Sequence, residues 1–287
     1  MAKGAVTISI DVELAWGNWD NITNDQLQLV EQHERAIVDQ LTSVFEKYDI
    51  PATFAIVAAL LDPNSAQGRP GRQDCWYAPD VIEKITRSPV GHDIGSHGGR
   101  HKYFNSMLEA EADEDLDFAR NVHAAHGLGF SSFVFPRNQL GNKSLLERHG
   151  VAVYRGEDRA WHQRIRSRNE TAGRIANLAD KMLPIAPEPV SPERDGKMVN
   201  LPGSMLFMSR NGLRKFAAAG VTKRKLDRGV DAAVNEQGVF HLWFHPSNFY
   251  HARDSQFALF EEFIGKLRGL IDRDLIEVKP MASFAIV

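Results

Sequence analysis

The chain has 287 residues, a formal net charge of −3 and a pI near 6.4, so its bulk electrostatics draw it neither to nucleic acid nor to an anionic membrane. Its apolar and charged fractions, 43% and 25%, are those of a folded globular protein and exclude collagen-like, coiled-coil and disordered chains. The one cysteine, Cys75, rules out an internal disulfide and fits a reducing compartment; with no export signal and no apolar run near the roughly 20 residues of a membrane helix, a cytoplasmic protein without stable membrane insertion is expected.

In chain order, Val6 to Ile10 reads as a buried strand. Val30, His33, Ile37, Leu41, Val44, Phe45 and Tyr48 then recur at helical spacing, with charges on the other face, and predict a long amphipathic helix. A strand at Ala52 to Ala58 and a helix at Pro79 to Arg87 follow, then a helix at Leu108 to His126, a strand at Ser132 to Phe135, a helix at Asn142 to His149 and a strand at Val151 to Tyr154. Leu183 to Pro202 holds five prolines and few apolar residues, and predicts a long loop, either a surface excursion or the rim of a groove. Strand Val239 to Phe244, helix Ser255 to Leu270 and strand Leu275 to Val278 close the chain. Strands alternating with helices predict a mostly parallel sheet covered by helices, opened out or closed into a barrel, in one domain over residues 1–287.

Four segments carry chemistry. The first strand ends in Asp11-Val12-Glu13, two carboxylates at spacing two, which point to one side if the strand continues. Acids at the carboxyl end of a parallel strand stand where α/β sheets assemble their sites, although such a pair also serves as a cap or turn. The second segment runs from Gly91 to His101. His97 and His101 are spaced as metal ligands, and the glycines at 95, 98 and 99 suit a loop that brings backbone close to an ion. A second pair at the same spacing, His241 and His245, lies on the late strand, whose alternation puts His241, Trp243 and His245 on one face. Between them Phe133 to Gln139 ends a strand in proline and delivers Arg137 and two amides, Asn138 and Gln139.

Taken in this order, the segments resemble the motifs of the polysaccharide deacetylase, or NodB-homology, family of metal-dependent N-deacetylases. Gly-His-Asp-Ile-Gly-Ser-His followed by His101 is the most diagnostic match, and the four blocks span residues 8–246. The resemblance implies a distorted (β/α) barrel, with Asp11 as general base, His97 and His101 as metal ligands and His245 as general acid. Val12 stands where the family usually keeps its metal-binding aspartate, so Glu13 takes the third ligand position, as in a divergent Asp-x-Glu branch, with an exchange of roles between Asp11 and Glu13 left open. Gly98 replaces a hydroxyl residue, which removes one hydrogen bond from the ligand loop. Arg137, in altered order after Pro136, either orients Asp11 or contacts substrate. Trp243 stands where a leucine usually lines the acyl pocket, and either narrows that pocket to formyl or acetyl or fills it.

The resemblance further implies one divalent ion, with zinc first and cobalt, nickel, manganese or iron open, and attack of a metal-bound water on the amide of an N-acylated sugar or glycan precursor. Hydrolysis of another small or cyclic amide, or a catalytically silent sugar- or metal-binding member, are the alternatives. Asn138, Trp16, Trp161 and Trp243 are candidate substrate contacts, the tryptophans as stacking faces or as core. Arg164, Arg166, Arg168 and the run Lys223-Arg224-Lys225 could meet a phosphate or form a solvated face, and the acids from Glu109 to Asp117 read as a solvated face.

Overall fold

The computed structural model describes residues 3–158, 183–211 and 219–285. Strand β1 (Gly4–Val12) is buried along all nine residues, as a parallel strand with both faces covered must be. Helix α1 (Asn24–Tyr48) starts from a capping box in which Thr23 and Gln26 satisfy each other's backbone N–H, and ends on Asp49 in the left-handed region. Next come β2 (Thr53–Ile56), α2 (Pro79–Thr86), β3 (Asp93–Ser96), α3 (Glu109–Ala125), β4 (Ser132–Val134), α4 (Lys143–Arg148) and β5 (Val153–Arg155). The chain continues through β6 (Glu193–Asp195), β7 (Met198–Asn200), β8 (Met205–Leu206), α5 (Ala219–Glu236), β9 (Val239–Phe244), α6 (Arg253–Asp272) and β10 (Ile276–Val278).

One ten-stranded sheet runs in the order β6-β7-β5-β4-β3-β2-β1-β9-β8, with β10 also paired to β1. Every pairing is parallel except β6 with β7. The sheet curls into a half-barrel, so alternation along each strand separates an inner from an outer face. Outward residues of β1, among them Val6, Ile8, Ile10 and Val12, join the large core beneath α1, α2, α5 and α6. Inward, Ala5, Ala55, Val134, Val153, Val199 and Val239 form a separate cluster of small side chains, stoppered by Met281 from the carboxyl-terminal segment. The barrel class is thus the observed one. Val12 is fully buried in the outer core, so a carboxylate there would face the helices, and the inward acids are Asp11 and, just beyond the strand, Glu13.

The proline-rich stretch departs from expectation. Residues 183–202 were expected to form a loop, yet β6 and β7 lie within it, and β7 pairs with β5 inside the sheet. Val190 adds a bridge to Val239. The five prolines flank these three-residue strands without entering them, and only three residues of ladder N–H are needed at each. Strand β3, read from sequence as loop, also belongs to the sheet. Among the described residues no helix is long and apolar enough to cross a membrane.

Candidate metal centre

Parallel strands deliver their carboxyl ends to one rim, and the inward positions there carry polar groups. From β1 come Asp11 and Glu13, from the loop after β3 His97 and His101, from β5 Arg155, and from the end of β9 His245. Glu13, His97 and His101 each offer one ligand atom, all within 4.8 Å of one another. Glu13 Oε2 lies 3.0 Å from His101 Nε2 and 3.5 Å from His97 Nε2. His97 Nδ1 is 2.8 Å from the Val134 carbonyl; a carbonyl only accepts, so Nδ1 carries a proton and Nε2 is the nitrogen aimed towards Glu13. Both histidines are 1% exposed, and His97 Nε2 and both ring nitrogens of His101 have no hydrogen-bond partner.

Buried, unpaired imidazole nitrogens are expensive unless something accepts their lone pairs. Burial, with the nearby His97 and His245, lowers the His101 pKa against the opposing pull of Glu13. Burial would raise Glu13, but His245 and His101 outweigh it and hold the carboxylate well below its ordinary range. Two imidazoles, which bind a metal in their neutral form, and one carboxylate are the donor set of an open catalytic zinc-type site. The residues fit a divalent cation.

The loop that bears the two histidines is built to hold a strained path. Gly98 adopts φ +79° and His101 φ +55°, the first natural for glycine and the second uncommon for any other residue. Asp115, from α3 and 2% exposed, accepts from the N–H groups of Gly99 at 2.7 Å and Arg100 at 3.2 Å. A Cβ on Gly99 would sit 2.6 Å from the Asp115 carbonyl oxygen, so that contact requires glycine. The loop backbone is therefore held from two sides, because Ser96 Oγ also accepts from Gly98 N–H at 3.2 Å.

The acid half of the site is paired differently. Arg155, fully buried, grips Asp11 with both terminal nitrogens, Nη1 to Oδ1 at 2.8 Å and Nη2 to Oδ2 at 2.6 Å. Its Nη1 also donates to Ser9 Oγ and its Nη2 to Asn138 Oδ1, each at 3.0 Å, and its guanidinium covers the Trp243 ring at 4.3 Å. Burial pushes the Asp11 carboxyl up, but Arg155, His97 and His245 together bring it below its ordinary value. His245 Nε2 stands 3.5 Å from Asp11 Oδ2 and 3.8 Å from Glu13 Oε1, with its side chain 25% exposed. His241 lies deeper. Ser9 Oγ is 2.9 Å from its Nε2 and the Pro202 carbonyl 3.0 Å from its Nδ1, and burial with Arg155 drives it down to about 3, so it is a neutral buttress.

Several sequence candidates land elsewhere. The arginine on Asp11 is Arg155; Arg137 donates instead to the Gly17 carbonyl at 3.1 Å and reaches Asn18 and Asp20 at 3.5 Å, because the left-handed turn at Arg137 and Asn138 aims it at the loop after β1. Asn138 holds Arg155 in place. Trp16 is fully buried, edge-on to Trp76 and donating to its carbonyl, so it has no face for a sugar and serves the core. Trp243, 7% exposed, donates to Asp158 at 3.1 Å; burial pushes that carboxyl up to about 6. Trp161 lies outside the described residues, as do Arg164, Arg166 and Arg168. Lys223 is paired with Asp227 and Glu262 across α5 and α6, and Arg224 is exposed, as on a solvated face, whereas Lys225 is buried.

Arg155, Asp115 and Asp158 were missed. The signal for Arg155 was its place two residues beyond inward Val153, a charge at the carboxyl end of a parallel strand. Asp115 sits on the stripe Ala112, Leu116, Ala119 that α3 buries.

A curled α/β sheet with two imidazoles and a carboxylate converging at its strand ends defines the class. Residues 21–151 match the family model described as polysaccharide deacetylase. The match contains His97, His101 and Arg137 and leaves Asp11, Glu13, Arg155 and His245 outside. No curated protein matches. Among solved structures, a Mycobacterium smegmatis protein described as a polysaccharide deacetylase aligns at 16% identity with a TM-score of 0.69, over 99% of this chain and 89% of its own. One from Pseudomonas aeruginosa PAO1, similarly described, gives 16% and 0.65 over 97% and 89%. PuuE allantoinase gives 16% and 0.65 over 97% and 88%. At such identity the likeness establishes the fold.

Proposed function

We propose that the chain is a metal-dependent N-deacetylase, a hydrolase of the amide of an N-acylated sugar, with the glycan precursor as its substrate class. The observation that carries this reading is the trio of Glu13, His97 and His101, with buried imidazole nitrogens that lack partners. A divalent cation held there, zinc first, would supply Lewis acidity for water and for the amide carbonyl. Asp11 is the candidate base: Arg155 keeps it ionised and fixes both its oxygens, and Oδ2 also faces His245. His245, partly open to solvent, is the candidate acid for the leaving amine, a role that typically contributes on the order of 10²- to 10⁴-fold. Trp243, pinned by Asp158 and covered by Arg155, limits the acyl pocket to a small group such as formyl or acetyl. The reading treats residues 1–287 as one catalytic domain, since a single sheet takes strands from both ends of the chain, and places it in the cytoplasm.

The test is metal analysis of the purified protein together with release of acetate or formate from N-acylated sugar precursors, with cyclic amides in the same panel. Metal-dependent release from a sugar substrate is expected. Turnover of cyclic amides alone would replace the sugar in this reading, and bound metal without any turnover would make the chain a silent member. His245→Ala should keep the metal and lose most turnover; equal metal loss in His245→Ala and His97→Ala would move His245 into the ligand set.

A further inference from the structure

Beside the ligand loop stand two arginines without an acid. Arg100 immediately precedes the ligand His101, and its guanidinium stacks on Phe118 at 3.7 Å. Arg69 comes from the connection between β2 and α2 and lies 4.5 Å from the Trp16 ring and 5.2 Å from the Trp76 ring. The two segments are tied by backbone hydrogen bonds, Ala58 N–H to the Gly98 carbonyl at 3.1 Å and Ala59 N–H to the Gly99 carbonyl at 2.9 Å. Among the described residues neither guanidinium has a side-chain hydrogen bond or a carboxylate within 4.0 Å. The neighbouring Asp115 has both oxygens engaged by the loop N–H groups.

Several other described arginines are paired with acids. Arg72, three residues after Arg69, pairs with Asp74 and Glu31, Arg35 with Asp80, and Arg155 with Asp11. Arg69 and Arg100 are close enough to repel, since Arg100 adds to burial in holding the Arg69 pKa below its ordinary value. Partly burying two like charges costs free energy that the aromatic platforms and the nearby Asp115 offset only in part. The platforms fix the guanidinium planes while leaving their N–H edges unspent, which is what bidentate recognition of an oxyanion requires.

We propose that Arg69 and Arg100 form an anion-binding subsite beside the cation site, taking the phosphate or carboxylate of the substrate. With the deacetylase reading, on which the word substrate rests, this makes the substrate an anionic acylated sugar, a sugar phosphate or a uronic acid. Its binding chemistry is separable from turnover.

The experiment titrates inorganic phosphate and glucuronate into metal-free protein, followed by calorimetry and by tryptophan fluorescence, because Trp16 and Trp76 lie under Arg69. Binding by at least one anion is expected, weakened tenfold or more in Arg69→Gln and in Arg100→Gln, restored in part by Arg69→Lys, and unchanged in the exposed control Arg120→Gln and in His97→Ala. A preference for phosphate or for glucuronate assigns the source of the anion. Binding that survives the double Arg69→Gln/Arg100→Gln variant but fails in His97→Ala would put the anion on the histidines and overturn the proposal, as would no binding of either anion at millimolar concentration. A protein that binds phosphate through the arginines yet releases no acyl group keeps the subsite and loses the deacetylase reading.

Discussion

The two halves of the rim differ in how their charge is settled. Around Asp11 the protein supplies its own counter-charge, with Arg155 on both oxygens and Ser9, Asn138 and His241 holding the guanidinium and its neighbours. Among the described residues no guanidinium pairs with Glu13, and the facing imidazole nitrogens are left without hydrogen-bond partners. A buried polar group without a partner costs on the order of 1–3 kcal/mol, so the Glu13 half makes sense as a place completed from outside, whereas the Asp11 half is complete as folded. One half is therefore specified by what it would bind, the other by packing.

Removing a histidine is the largest blow to that contrast. His97→Ala should abolish stoichiometric metal and turnover together, measured by metal analysis and acyl release, while circular dichroism stays native, since among the described residues the imidazole makes a single hydrogen bond, to the Val134 carbonyl. Metal retained in His97→Ala would remove the trio from consideration. The complementary change, Arg155→Met, should leave Asp11 as an uncompensated buried charge and destabilise the fold by about 3–5 kcal/mol. Arg155→Lys keeps the charge and loses the fork; it should fold, bind metal at native affinity, and lose on the order of 10²-fold in kcat as Asp11 loosens. If the lysine variant loses metal as well, the halves are not independent. Asp115→Ala is the smaller perturbation of the Glu13 half. It frees two loop N–H groups and should weaken metal affinity by about 10- to 100-fold, as loss of a ligand-orienting partner does, with apparent affinity read by competition with a chelator. Unchanged affinity would mean that the strained turn at Gly98 and His101 holds without it.

These same residues mark where sequence reading stops. Strand β1 is legible because apolar and polar residues alternate from Val6 to Val12, and β9 because Val239 to Phe244 is an almost continuous apolar run; the two strands bring Asp11 and His245 with them. The loop ligands are legible because glycines and histidines coincide at 95–101. Strand β3 is four residues long and half polar, and β7 only three, too short for any periodicity, so pairing partners alone make them strands. Arg155 was hidden because its meaning lies in a residue 144 positions away. Asp115 was hidden in a run of acids whose neighbours Glu109 and Asp117 do face solvent; only the buried stripe of α3 separates it from them. Long-range electrostatic partners carry no local pattern, and the pairing of Asp11 belongs to that class.

The smallest effect tests whether the unpaired half reaches below the rim. Glu34 on α1 is 1% exposed and accepts a hydrogen bond from Tyr250, in the turn that follows His245. Burial drives its pKa from 4.5 up to about 7; the Tyr250 bond opposes this and the charge on Glu13 adds to it. The folded protein thus holds a proton between about pH 4.5 and 7 that the unfolded chain has released, so stability falls as pH rises through that window and levels off above it. A tenfold difference in proton affinity is worth about 1.4 kcal/mol, so Glu34→Gln, which keeps an acceptor for Tyr250 and cannot ionise, should gain up to about 3 kcal/mol over the native protein between pH 5 and pH 8. Urea unfolding of metal-free protein at both values measures it. Metal on Glu13 would cancel part of the charge that helps to raise Glu34, so the gain should shrink in loaded protein. A gain that is the same with and without metal would mean that burial alone sets Glu34 and that the unpaired charge of Glu13 is not felt beyond the rim.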